Sequence, residues 1–237
     1  MPRNVLMSDL VLRCQRRCDK ENDDSMPALE WKALINSQYG ELHQLVVDAG
    51  GRYFELQQTV TATGAATYTL ASDFHEMCSV ERQLDSAGTK TPLGELMGQE
   101  IARMSGLQGT ATAYAVSGTS TLTLYPNPPS GTYIVTYIPQ SPDLSTLSDG
   151  SNVDVVTPDG EEFLIWGVAV KSLAKSQDDV QLAMAEREAA RQRLMTWAVE
   201  RAFYSPRRTV IRDDGPYGRY WADGTGTDYD PGGWWNR

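Results

Sequence analysis

Hydrophobic residues in this chain recur every three or four positions at both ends and every second position in the middle, which narrows the folds open to it. Near the start, Trp31, Leu34, Ile35, Leu42, Leu45, Val46 and Ala49 fall at the spacings of a helix packed on one side. Pro27 suits the first turn of that helix, because its fixed φ is already helical. Gly50 and Gly51 close it, as glycine does where the backbone turns left-handed. Ahead of it, residues 8–20 read as a shorter helix capped by Ser8, with Leu10, Val11, Cys14 and Cys18 on one face.

From Arg52 to Pro139 the helical period disappears, and Thr, Val and Tyr dominate. Tyr53 to Thr61, Thr67 to Leu70, Met77 to Leu84, Thr112 to Val116, Thr121 to Tyr125 and Thr132 to Ile138 read as strands. Glycines at 64, 88, 118 and 131 supply the turns. Pro92 to Met104 reads as a short helix between them. Short strands with frequent turns predict a small antiparallel barrel or sandwich.

A loop rich in Ser, Asp and Pro follows, and helix returns at Pro158 behind the capping residue Thr157. The stretch from Glu161 to Ala174 is apolar on most sides, so that helix is expected to be buried from several directions. Ser176 and Asp179 form a pair like a capping box, predicting a bend or restart. The next helix runs to about Tyr204, with Glu and Arg at helical spacing on a solvated face, and Pro206 stops it.

The fold class expected is therefore α+β, a helical bundle core carrying an inserted small antiparallel β-barrel or sandwich and an extended C-terminal tail. The expected divisions are N-terminal helices over 1–51, a β-rich insertion over 52–139, a loop over 140–157, C-terminal helices over 158–205 that complete the helical domain, and the tail over 206–237. That tail is rich in Gly and Asp, yet carries Tyr217, Tyr220, Trp221, Tyr229, Trp234 and Trp235. A merely disordered tail is expected to be poor in aromatics, so these read as an arm that orders when it docks on a partner.

Charge narrows the function. The chain has 21 Lys and Arg against 31 Asp and Glu, a net charge of −10, which disfavours a clamp on nucleic-acid phosphates. Between Met104 and Val170 there is no Lys or Arg, while Asp143, Asp149, Asp154, Asp159, Glu161 and Glu162 all fall there. Basic residues gather at Arg13, Arg16 and Arg17 and again at Arg201, Arg207, Arg208 and Arg212. This segregation reads either as ordinary surface variation or as complementary patches between neighbouring subunits.

No catalytic constellation is apparent. There is no phosphate-binding GxxxxGK[ST] loop, no HExxH, no GxSxG elbow and no GxGxxG. His43 and His75 are the two histidines, and neither sits in a pattern with a paired carboxylate. Cys14 and Cys18 share a helix face, but their spacing is not that of a zinc knuckle or ribbon, so no metal and no cofactor is expected. The third cysteine, Cys78, makes an odd count that does not indicate a disulfide framework. No leader pattern and no membrane-length apolar run is present, so the protein is expected to be made in a cytoplasm, with no membrane association.

Several stretches carry a resemblance. Residues 122–139, reading LTLYPNPPSGTYIVTYIP, place a strand, a proline-containing turn and a Tyr-rich strand ahead of Pro142 and Leu144. Tyr68 to Phe74, reading YTLASDF, is similar to a Y-x-L-P-x-D-F turn with Ala71 in the proline position, and an IN pair occurs at Ile35 and Asn36. In this order, over residues 8–204, these segments resemble the head-to-tail connector adaptors of tailed bacteriophages.

The resemblance implies a structural, non-enzymatic virion protein in the neck between capsid and tail. It implies a ring of twelve copies around the DNA channel, contacting the portal protein on one side and a tail component (nozzle or tail tube) on the other. By analogy, Arg207, Arg208, Arg212, Tyr217, Tyr220, Trp221, Tyr229, Trp234 and Trp235 would dock on the portal. Asp143, Asp149 and Asp154 would rim the channel, letting double-stranded DNA pass without specific binding. The competing readings are another neck or tail part (stopper, terminator or tube protein), a glycan-binding or hydrolytic module, and a cytoplasmic helical scaffold.

Overall fold

A computed structural model describes residues 3–21, 26–50, 52–85 and 88–204 of the chain. The chain divides into two units, Met1–Phe203 and Tyr204–Arg237, and the description below is of the first. It is a mixed α/β structure in which four helices share one core and two four-stranded sheets share another. None of the sheets closes into a barrel.

Strand β1 (Asn4–Leu6) leads into helix α1 (Met7–Arg17), and α2 spans Ala28–Asp48. After the β-rich region come β10 (Asn152–Asp154), α4 (Pro158–Ser176) and α5 (Gln181–Tyr204). α1 buries Met7, Leu10 and Cys14, while α2 buries Trp31, Ile35, Tyr39, Leu42 and Val46, one side of each helix. α4 buries Phe163, Leu164, Ile165, Val168 and Ala169 and so is enclosed on several sides, as its composition predicts. Ala183, Ala190, Leu194 and Ala198 of α5 complete this core. Full burial of a side chain such as Trp31, Leu42 or Phe163 stabilises the fold by about 1.5–3 kcal/mol each.

Local capping follows the sequence in part. The hydroxyl of Thr157 accepts from the Gly160 amide at 3.0 Å and starts α4, with Pro158 first in the helix. Gly50, at φ +74°, donates its amide to the Val47 carbonyl at 2.9 Å and ends α2. Ser8 does not cap α1. Its amide instead donates to the Asp149 carbonyl at 3.1 Å, and that of Met7 to Ser151 at 2.9 Å, so loop carbonyls satisfy the first-turn donors. Between α4 and α5 the chain breaks at Gln177, whose φ is +62°, and the Asp179 carboxylate accepts from the Gln181 amide at 2.9 Å.

The segment read as a loop over 140–157 contains β10. It pairs antiparallel with β1, setting Val5 opposite Val153 in the helical core. Three-residue strands are too short for an alternation to register in sequence.

The β-rich region holds β2 (Leu56–Ala62), β3 (Tyr68–Thr69), β4 (Phe74–Gln83), β5 (Lys90–Pro92), β6 (Gly94–Glu95), β7 (Ala113–Ser117), β8 (Thr121–Tyr125) and β9 (Gly131–Pro139). One sheet has the order β2-β9-β4-β5 and the other β3-β8-β7-β6. Val60, Val80, Leu122, Leu124, Tyr133 and Val135 form their shared core, with inward residues alternating along each strand. Two details depart from the sequence reading. Arg52–Phe54 is a 3-10 turn, so the first strand begins at Leu56. The expected helix over 92–104 shrinks to α3 (Gln99–Met104), because Lys90–Pro92 joins β4 and Gly94–Glu95 pairs with β7 in the only parallel contact between the named strands. Among the described residues, no helix is long and apolar enough to cross a membrane.

Candidate functional site

Two surface clefts flank the helical core. The first lies where α1 meets α4 and encloses about 510 Å3. At its base the Glu161 side chain is almost fully buried, and each of its oxygens takes one guanidinium. Oε2 lies 2.6 Å from Arg3 Nε, and Oε1 accepts from Arg13. The Arg17 guanidinium lies over the Trp166 ring at 4.3 Å and reaches Glu162 at 3.5 Å. Arg16 holds Glu21 at 3.0 Å. A buried carboxylate is tolerated only when paired, so Glu161 and the two arginines form one structural unit. Part of the charge that the linear sequence separates is thus joined within a single chain.

The second cleft, of about 530 Å3, is lined by Tyr39, His43, Tyr53, Phe54, Asp154 and Arg201, among others. The Tyr53 hydroxyl donates to the Asp154 carboxylate at 2.8 and 2.9 Å, and the same carboxylate accepts from the Val156 amide at 2.9 Å. Burial, followed by this acid, pushes the Tyr53 phenol up. Trp197 meets Tyr53 edge-on at 5.9 Å, and Arg201 covers the Tyr53 ring at 5.1 Å. His43 stacks on Phe54 at 4.3 Å, and its buried Nε2 has no hydrogen-bond partner. Burial, with the charge of His75 second, holds His43 below the usual histidine range.

The residues singled out from sequence fall as follows. Asp143 is exposed in the loop before β10, where it accepts from the Ser145 amide at 2.9 Å and hydroxyl at 2.6 Å; these bonds hold its carboxyl below the usual range. Asp149 is exposed and lies 2.9 Å from Lys32 Nζ. Asp154 is half-buried on β10 in the network with Tyr53. Arg207, Arg208, Arg212, Tyr217, Tyr220, Trp221, Tyr229, Trp234 and Trp235 lie outside the described residues.

Cys14 and Cys18 sit in the helical core, where burial raises both thiols. Cys78 is pushed up to about 12 by burial and then by Glu55. All three are therefore protonated near neutral pH, whereas a thiolate is what binds metal or attacks. Among the described residues no group of three His, Cys, Asp or Glu side chains is placed to hold a metal. Sequence reasoning missed the anchoring role of Glu161 and the pairing of Tyr53 with Asp154. In sequence, Glu161 looks like any acid in a helix's first turn, and residues 53 and 154 are far apart.

A family model described as SU10 adaptor protein matches residues 7–210. No curated protein matches the chain.

Proposed function

The chain belongs to the SU10 adaptor protein family, and from that membership we propose that it is a structural head-to-tail adaptor of a phage particle, with no catalytic role. Copies form a ring, of twelve subunits by analogy, between the portal protein and a tail component, around the DNA channel. The observation that carries this reading is the span of the family match, which takes in both helical segments and the β-rich region between them.

Helix content supports an adaptor over a tube or terminator protein, since those are mostly β. Here α2, α4 and α5 run 21, 19 and 24 residues. In this reading the tail residues Arg207 to Trp235 dock on the portal. Asp143 and Asp149 rim the channel together with the partly buried Asp154, presenting carboxylates that do not attract DNA phosphates.

The test is to measure the mass of the full chain alone and mixed with the portal protein of the same phage. A portal complex holding many copies of the chain is expected. Portal and chain remaining separate would overturn the proposal. Deleting residues 206–237 is expected to abolish portal binding while helix content by circular dichroism persists. Undiminished binding by that shortened chain would remove the docking role of the tail.

A further inference from the structure

Charge is unevenly spread over the β-rich region. Residues 56–72 and 104–142 contain no Asp, Glu, Lys or Arg, in a chain that is 22% charged. Those stretches supply β2, β3, β7, β8 and β9, while the charged residues of the two four-stranded sheets lie on β4, β5 and β6. With the orders β2-β9-β4-β5 and β3-β8-β7-β6, each sheet has an uncharged side that ends at β2 or β3. These two sides adjoin. The Gln58 side chain of β2 donates to the Thr69 carbonyl at 3.2 Å and accepts from the Ala71 amide at 2.8 Å.

A sheet edge exposes unpaired backbone groups, and proteins blunt such edges with short strands, charge or proline. Three of the four edges of these sheets are blunted in that way. β3 and β6 have two residues each, and β5 has three, with Lys90 and Pro92 among them. β2 differs: it has seven residues, LQQTVTA, with neither charge nor proline. Its whole length pairs with β9 in an unbroken register. Alternate residues of an antiparallel strand turn their N–H and C=O groups away from that partner. Among the described residues no strand pairs with β2 on that outer side.

A strand that completes this edge has to match both of its faces. Val60 and Ala62 point into the shared core and are buried, and Leu56 and Gln58 fall on the same face by alternation. Leu56 is nevertheless 45 % exposed. Gln57, Thr59 and Thr61 are exposed on the other face. The incoming strand therefore needs apolar residues on the inner face and uncharged polar ones on the outer face. Among the described strands, the one that combines this pattern and length with a free edge is β2 itself.

We infer that two copies of this chain pair through β2, edge to edge and antiparallel about a two-fold axis. Full overlap of the seven residues sets Thr59 opposite Thr59 of the second copy, a favourable cross-strand pair. It also sets Gln57 opposite Thr61, Gln58 opposite Val60, and the exposed Leu56 opposite Ala62, so like faces meet. Each copy carries a net charge of −10, so two copies approach with least repulsion where charge is absent. The buried centre of a protein interface is depleted in charge for the same reason. The contact is isologous and closes once two copies have paired. It is therefore separate from the contacts of a ring and does not rest on that reading. A seven-residue ladder is a small interface, so the association is weak and depends on concentration.

The experiment follows the full chain by analytical ultracentrifugation over a rising concentration series. Thr59→Lys and Thr59→Glu are measured separately and as an equal mixture. Thr59 is exposed, and circular dichroism checks that both variants fold. The unmodified chain is expected to pass from monomer to dimer as concentration rises. Each variant alone is expected to associate about fivefold more weakly, because like charges then face each other across the axis. The mixture is expected to recover the dimer, because Lys then faces Glu. Amide hydrogen exchange locates the contact, with alternate amides of β2 slowing as the unmodified chain dimerises. A chain that stays monomeric throughout, or a dimer that neither variant weakens, would overturn the inference. Weakening by both variants without recovery in the mixture would overturn it as well, since the two strands would then not face each other. Any of these results leaves the ring reading standing, because that reading is tested with the portal protein.

Discussion

The side-chain amide of Gln38 on α2 fills the space that a side chain at position 167 of α4 would need. A Cβ built at Gly167 would lie within 3.0 Å of three Gln38 atoms, and Gln38 itself is fully buried. In the first turn of α4, a Cβ at Gly160 would strike the backbone carbonyl of Val155. The two glycines thus let α4 approach α2 and the chain before it more closely than any other residue permits.

Gly160→Ala is expected to destabilise the protein by about 1–3 kcal/mol, since a backbone carbonyl cannot move aside as a side chain can. Gly167→Ala is expected to cost less, because Gln38 can change rotamer and alanine has the better helix propensity by about 1 kcal/mol. Urea denaturation of both variants checks the order, and equal costs would contradict it.

The Glu161 cluster is expected to respond asymmetrically. Glu161→Gln leaves Arg3 and Arg13 nearly half exposed, so water takes up much of the lost pairing and the cost is about 1–2 kcal/mol. Changing both arginines to Met strands a buried carboxylate and is expected to cost about 3–5 kcal/mol. Thermal or chemical denaturation distinguishes the two, and a larger loss from Glu161→Gln would refute the arrangement.

Removing the hydroxyl that caps α4, in Thr157→Ala, is expected to cost about 1 kcal/mol. Thr157→Ser keeps the oxygen and is expected to lie close to the original stability. The difference between the two variants in denaturant midpoint is the measurement.

His43 predicts a pH dependence. Its folded pKa lies below the unfolded value of about 6.5, because burial and then His75 disfavour the charged ring. Its contribution is therefore complete above that unfolded value and is lost as pH falls through the lower folded value. Unmodified protein should lose more stability between pH 7.5 and 5 than His43→Gln does. Parallel slopes in denaturation midpoint against pH would rule this out.

What the sequence determined by itself is local. The period of α2 shows in Trp31, Ile35, Leu42 and Val46, and the start of α4 in Thr157 and Pro158, because both depend on neighbours within a turn. The strand from Thr121 to Tyr125 shows in its alternation for the same reason. The order of helical, β-rich and helical segments could be read in this way, along with the likeness to phage adaptors. Tertiary structure decided everything that joins distant positions. It paired Asn4–Leu6 with Asn152–Asp154, too short a match to leave a pattern. It set β6 parallel to β7 and left the sheets open where a barrel had been one expectation. It also brought Arg13 onto Glu161, 148 positions away, turning an apparent separation of charge into a bond inside one chain. Residue types fix what each group needs, hydrogen bonds for a buried acid or space beside a glycine, but only the packed chain settles which distant group provides it.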